Sequence, residues 1–399
     1  MPEQAALGCP RCDGTWPIGP LLFGCPRCQT TALEVRYTTT DSDAILAGGA
    51  RRTGGVWDFS ALLPLGRNAR QVSLGEGWSP LLAVPELGDN TFVKYEASNP
   101  TGSFKDRLNA VAVSMALQLG YQRVLCTSTG NHGVSLAAYA AAAGLECLVV
   151  CSPGMEPLAV QQIRLHGARA IQVDGPAAAT RAWLAHLVRD EGWWPSVRNH
   201  PRPFANPFGL EGYSTIAYEL WHQSGGRVPD CVLVPTGGGD SLVGIARGFS
   251  RLCALDLAPR MPRLVACQPA AAAPLVQAVE RGDAAVAPIH AGSSIAVSIA
   301  EDQTGDHALR VLGRTGRAVA VSEEAIRQAV ERLGASGLCV DPASAASAAA
   351  LLALHQSGEL PGDETAVCVA TAGGERWPAA FGQHAGQPES VQLGALVDS

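Results

Sequence analysis

From about residue 73 onward, short apolar runs alternate with longer Ala-rich stretches of helical length. The runs Arg123 to Cys126, Cys147 to Cys151, Ala170 to Val173, Cys231 to Pro235, Leu264 to Cys267, Ala318 to Val321 and Ala366 to Ala370 read as strands. Between them the spacing predicts helices over Val134 to Ala143, Leu158 to His166, Thr180 to Asp190, Glu323 to Leu333 and Pro342 to His355, the last opened by a proline in its first turn. Strands alternating with helices in this way are the pattern of parallel sheets joined by crossover helices. Pro269 to Pro274, an alanine stretch between prolines, reads as a loop, and the tail after about Gln383 has no periodicity.

The 399 residues exceed what one core of about 250 to 300 residues holds, so more than one domain is expected. With 47% hydrophobic and 16% charged residues the composition is that of a globular chain. A net charge of -7 without a local basic cluster argues against nucleic acid or an anionic membrane as partner and leaves small-molecule work. The first twenty residues lack a basic segment followed by an apolar one, and no apolar run reaches spanning length, so a cytoplasmic protein is expected.

Four of the twelve cysteines form two pairs, Cys9-Pro10-Arg11-Cys12 and Cys25-Pro26-Arg27-Cys28, with twelve residues between them. Each pair lets two thiolates converge on one tetrahedral ion, and the metal supplies folding energy that so short a segment cannot obtain from a core. Residues 1–36 therefore read as a zinc ribbon with a closed, structural site. Iron, or a ribbon that folds without metal, is the alternative. The other eight cysteines are scattered, several within strand-like runs, as suits buried reduced thiols.

Only two lysines, Lys94 and Lys105, stand among the 29 basic residues. A guanidinium can replace an ammonium as a surface charge but cannot supply the free amine that forms a Schiff base. Lys94 reads as a solvated surface charge. Lys105 lies in Ser103-Phe104-Lys105-Asp106, the Ser-x-x-Asp form of a capping box, which makes Ser103 a helix cap and puts Lys105 in the first turn. There the positive end of the helix dipole favours the neutral amine.

Two further loops each follow a strand and precede a helix. In Pro235-Thr236-Gly237-Gly238-Gly239-Asp240-Ser241 the glycines let backbone amides approach and cradle a phosphate, although the spacing matches neither the nucleoside-triphosphate loop nor the dinucleotide fingerprint. Asp240 is awkward beside a dianion and is expected to cap the helix or turn aside. Thr127-Ser128-Thr129-Gly130-Asn131-His132-Gly133 offers hydroxyls, an amide and backbone donors at a strand end, where open parallel sheets bind ligands. His132 fits either a general base or a structural hydrogen-bonder. A nucleophilic lysine, a phosphate cradle and a polar loop together suggest pyridoxal phosphate.

Asn99 to Arg107, Ser128 to Asn131, Gly237 to Ser241, Asp341 to Ser347 and Ser73 to Leu81 resemble the corresponding motifs of the threonine synthases among fold-type II pyridoxal-phosphate enzymes, over about residues 73 to 378. The resemblance implies two open parallel-sheet α/β domains with the cofactor in the cleft, plus the ribbon: residues 37–120 and 202–399 as the large domain, 121–201 as a small movable one. It implies that Lys105 holds the cofactor as a Schiff base and shuttles protons. Asn131 is expected at the phenolic oxygen, the amides of Gly237, Gly238, Gly239, Asp240 and Ser241 at the phosphate, and Thr371 opposite the pyridine nitrogen. Ser128 and Thr129, beside His132, are expected to hold the substrate carboxylate, and a homodimer is expected.

The implied activity is a lyase reaction, O-phospho-L-homoserine and water to threonine and phosphate, with Arg107 or Arg164 as candidates for gripping the leaving phosphate. Several positions depart from the family pattern. His132 stands where a threonine is usual, Leu108 for a glycine, Ser214 for a lysine, Trp78-Ser79 for an asparagine-threonine pair, and Thr371 to Trp377 for a Thr-Gly-His-Gly-Leu-Lys-Asp stretch. These departures leave room for β-elimination or β-replacement on serine, threonine, or a phosphorylated or amino analogue. A non-catalytic interaction protein is the remaining alternative, and the intact Lys105 argues against it.

Overall fold

The computed structural model describes residues 5–29, 33–38, 42–174, 176–196, 206–313, 316–378 and 381. Two sheets organise it. The larger runs in the order Arg317–Val321, Arg263–Pro269, Cys231–Pro235, Ala366–Ala370, Thr91–Tyr95, Leu81–Ala83. All its neighbours are parallel except the last pair. The smaller sheet, Arg169–Ile171, Glu146–Cys151, Arg123–Ser128, Trp193–Pro195, is parallel throughout. This is the expected α/β architecture. Cys231–Pro235 and Ala366–Ala370 are buried at every residue, as strands covered on both faces must be.

Alanine-rich helices let backbone lie close to the sheets. Pro342–Gln356 buries eleven of its residues, and its start is capped by the Asp341 carboxylate, which accepts from the Ser344 amide at 2.7 Å. Asn131–Ala143 begins three residues before the sequence pattern, because the polar loop residues Asn131, His132 and Gly133 are already helical. The loop between Pro269 and Pro274 contains one 3-10 turn, Ala270–Ala272.

The N-terminal segment is a three-stranded antiparallel sheet, Thr15–Pro17, Ala5–Gly8, Glu34–Tyr37. It docks on the helix Asp240–Ala254 and its surroundings. Arg247 reaches Glu34 at 3.3 Å, the Tyr37 hydroxyl donates to Glu211 at 3.3 Å, and the Arg251 guanidinium lies 3.9 Å from the Tyr37 ring centre. The expected domain crossing at residues 201/202 and the tail after Gln383 fall outside the described residues.

Candidate active site

Lys105 is the first residue of the helix Lys105–Gln118. Its loop is fastened to the segment after the Ala366–Ala370 strand: the Phe104 amide donates to the Thr371 carbonyl at 2.9 Å and the Gly373 amide to the Gly102 carbonyl at 3.0 Å. The capping box does not form. Ser103 is held in a bridge with Ala372, and its buried hydroxyl has no hydrogen-bond partner. Asp106 instead accepts from the Thr101 amide at 2.7 Å, the Thr101 hydroxyl at 2.6 Å and the Ser135 hydroxyl at 2.6 Å. Lys105 Nζ lies 4.7 Å from the centre of the Phe104 ring and 5.9 Å from that of Tyr213. Burial pushes its pKa down, and the charges of Asp240 and Glu301 only partly oppose this.

In the glycine turn the carbonyls are taken from behind. Gln268 donates to the Thr236 carbonyl at 3.1 Å, the Thr304 hydroxyl to that of Gly237 at 2.8 Å, and the Gly305 amide to that of Gly238 at 3.0 Å. The amides of Gly237, Gly238 and Gly239 have no acceptor among the described residues. Gly239 starts the helix Asp240–Ala254 in the left-handed region, φ 100°, where a Cβ would lie 2.7 Å from that of Ala308. Asp240 turns aside onto His307 Nε2 at 2.9 Å.

The third loop closes the ring. Ser128 Oγ accepts from the amides of Gly130 at 3.0 Å and Gly133 at 2.8 Å, so its hydrogen is left to donate. Asn131 Oδ1 accepts from Arg376 Nε at 2.9 Å. His132 Nε2 pairs with the Ser196 hydroxyl at 2.7 Å, and its Nδ1 has no hydrogen-bond partner. Burial brings its pKa down to about 3, so the ring is neutral and a poor general base. Thr371 Oγ1 lies 3.0 Å from the Ser344 hydroxyl.

Lys105, Ser128, Thr129, Asn131, His132, Gly237 to Ser241 and Thr371 all line one cavity of about 340 Å³, which is also walled by Val297 to Glu301. A smaller apolar cavity of about 180 Å³, walled by Met155, Ile295 and Trp377, shares Thr129, Ser152 and Val297 with it. Among the described lining residues Lys105 is the one cation, and Asp240 and Glu301 are carboxylates. Neither arginine expected at a leaving phosphate is there. Arg107 is fully buried and holds Glu96 at 2.7 Å and Glu219 at 2.5 Å, while Arg164 is exposed on the helix Pro157–Leu165. Lys94 is not a surface charge. It is fully buried, donating to Glu219 at 2.6 Å and the Ser79 carbonyl at 2.7 Å, because two carboxylates packed around Arg107 need a second cation for neutrality. The Val297 to Glu301 wall and Arg376 escaped the sequence reading of the site. Arg376 sits in a stretch that departs from the family pattern, which was its one signal.

The model of the pyridoxal-phosphate dependent enzyme family matches residues 72–372. The threonine synthase of Methanocaldococcus jannaschii is 33% identical over 394 residues, 96% of each chain. The chain belongs to the threonine synthase family of pyridoxal-phosphate dependent enzymes. The threonine synthase of Mycobacterium tuberculosis is 34% identical over 325 residues, 79% of this chain and 86% of its own. Among solved structures, a fungal L-serine ammonia-lyase from Rhizomucor miehei aligns with a TM-score of 0.65 at 22% identity, covering 77% of this chain and 96% of its own. Threonine deaminase isoform 2 from Solanum lycopersicum gives 0.65 at 18%, covering 86% and 93%. These two describe the fold.

The residues of this family member fit the cofactor. Unengaged amides at a helix N-terminus suit its phosphate, and an amine made less basic by burial faces the same cavity. In the ribbon, the sulfurs of Cys9, Cys12, Cys25 and Cys28 lie within 4.8 Å of one another. Burial alone pushes the Cys25 thiol up, but the amides of Cys28 and Arg27, each 3.3 Å from its sulfur, bring it down to about 7. Amides aimed at a sulfur favour the thiolate, the form that binds metal.

Proposed function

We propose that the protein is a threonine synthase, converting O-phospho-L-homoserine and water to threonine and phosphate. The observation that carries this is the 33% identity to a threonine synthase across 96% of both chains, with the lysine, glycine-turn and Asn131 loops gathered on one cavity. The cofactor supplies an electron sink that acidifies the hydrogens of the bound amino acid. The Lys105 amine, its pKa lowered by burial, would take the α proton and then a β proton and return them to the substrate, one to the γ carbon once phosphate has left it and one to the α carbon after water has added its hydroxyl at the β carbon and left its remaining proton on the phosphate. Ser128, with its hydrogen free, and Thr129 hold the substrate carboxylate, and neutral His132 orients the loop through Ser196. The Gly237 to Ser241 amides take the cofactor phosphate, Asn131 its phenolic oxygen, and Thr371 its ring nitrogen.

The rest of the reading concerns the whole protein. The four cysteines hold a structural zinc. The smaller unit, residues 121–201, closes over the cleft formed with residues 37–120 and 202–399 and excludes bulk water. The protein works as a cytoplasmic homodimer; among the described residues no helix is long and apolar enough to cross a membrane.

One observation favours a second reading. A cavity whose lining cation is Lys105, facing Asp240 and Glu301, receives a second phosphate poorly after the cofactor's own. That suits β-elimination or β-replacement on a serine- or threonine-like substrate. Phosphate release from O-phospho-L-homoserine and O-phospho-L-serine, with 2-oxo-acid formation from serine and threonine, separates the two against a Lys105→Ala blank. Release from the homoserine ester alone supports the synthase; oxo acid without such release replaces it with the second reading.

A further inference from the structure

We propose that Arg376 is the positioning residue that sets which end of the Asn131 amide faces the cofactor. The inference rests on the reading that Asn131 meets the cofactor's phenolic oxygen. An asparagine side chain presents an acceptor at one end and two donors at the other, and the two are nearly the same shape. Only its neighbours decide which way it points.

Arg376 decides it here. A guanidinium has donors and no acceptor, so the Asn131 atom 2.9 Å from Arg376 Nε is Oδ1. The guanidinium cannot swing away to release it: Nη2 donates to the Thr101 carbonyl at 2.6 Å, Nη1 reaches Gln162 Oε1 at 3.4 Å, and the residue is 8% exposed. With Oδ1 engaged, Asn131 offers the cavity a donor. A flipped amide would turn a lone pair toward a negatively polarised oxygen.

The same side chain ties three elements together. Thr101 belongs to the Lys105 loop, Asn131 begins a helix behind the smaller sheet, and Gln162 lies on the next helix of that unit. Gly102 leaves room for this clasp, because a Cβ there would stand 3.3 Å from Nη2, and its φ of 74° suits glycine. Arg376 thus fixes the donor and the distance between the loop that bears the lysine and the loop that bears the asparagine.

The test compares Arg376→Met, Arg376→Lys, Asn131→Ala and the double variant Asn131→Ala/Arg376→Met in the cofactor-loaded protein. The readouts are the pH at which the visible band titrates and the affinity for pyridoxal phosphate. Arg376→Met is expected to raise the titration midpoint by about one unit and weaken cofactor binding about tenfold, as loss of one oriented hydrogen bond does. Arg376→Lys, which keeps a donor for Oδ1, is expected to recover most of the midpoint and to show that the change is not misfolding. In the Asn131→Ala background the second substitution should add nothing, because the arginine acts through the asparagine. A shift in Asn131→Ala with none in Arg376→Met overturns the inference and leaves the role of Asn131 standing. Full additivity in the double variant also overturns it. No shift in Asn131→Ala removes the reading on which it rests, and the inference with it.

Discussion

His132 shows how far burial alone redirects a side chain's chemistry. Its imidazole is 7% exposed, pairs with Ser196 and has its pKa lowered from 6.5 to about 3. Above pH 6.5 the ring is neutral folded and unfolded, and contributes its full stability. As pH falls from 6.5 toward 3 the unfolded chain binds a proton that the folded chain refuses, so stability is lost across that window. Urea unfolding at pH 7 and pH 4 should therefore show a drop of about 3 kcal/mol from this group, absent in His132→Gln. An equal drop in the variant assigns the acid sensitivity to other groups. Lys94 makes the complementary case. Lys94→Met should cost roughly 3 to 5 kcal/mol, since Glu96 and Glu219 then face Arg107 alone in a dry site, and adding Glu219→Gln should recover part of that loss. A cost below about 1 kcal/mol in the same unfolding experiment contradicts this account.

The strand-to-helix turn is the element on which the cofactor reading depends. Ser and Gly motifs at strand ends were legible because each loop follows an apolar run with sharp edges; Cys231–Pro235 and Ala366–Ala370 run over the very residues the pattern marks. Leu81–Ala83 and Trp193–Pro195 were not legible, since three residues carry no period and each strand exists through the neighbour it pairs with. Lys94 was misread for a related reason: its partner Glu219 is 125 residues away. The Val297 to Glu301 wall has no pattern of its own, and the loop that continues from it is held by Thr304 and Gly305 on the glycine turn. That turn yields a prediction at its own scale. Gly239→Ala forces a side chain into a left-handed position and against Ala308, so the turn must shift and its amides lose their convergence. Titration of the apo-protein with pyridoxal phosphate should give a dissociation constant at least about tenfold weaker, with about 1 to 3 kcal/mol lost in unfolding. Wild-type affinity in this variant would mean the phosphate is held elsewhere.

In the whole molecule the ribbon and the cofactor site meet on one helix. Asp240–Ala254 begins at the glycine turn proposed to cradle the phosphate, and further along it Arg247 and Arg251 reach Glu34, Tyr37 and Glu211. Loss of the ribbon would therefore strip contacts from the far part of the helix while leaving its start in place, because the carbonyls of the glycine turn are held by Gln268, Thr304 and Gly305 and, among the described residues, by nothing from the ribbon. Three short strands cannot bury enough apolar surface to fold alone, so on the zinc reading proposed above metal binding is folding for this segment. Elemental analysis should find one zinc per chain, and Cys25→Ser/Cys28→Ser should lose it. The variant should melt at a lower temperature and expose the ribbon to protease, yet keep the visible band of the bound cofactor. If the band is lost together with the zinc, the ribbon supports the cradle after all and the metal is more than a local staple. If the variant still binds one zinc per chain, the four sulfurs are not its ligands, and the closeness of the thiols has another cause.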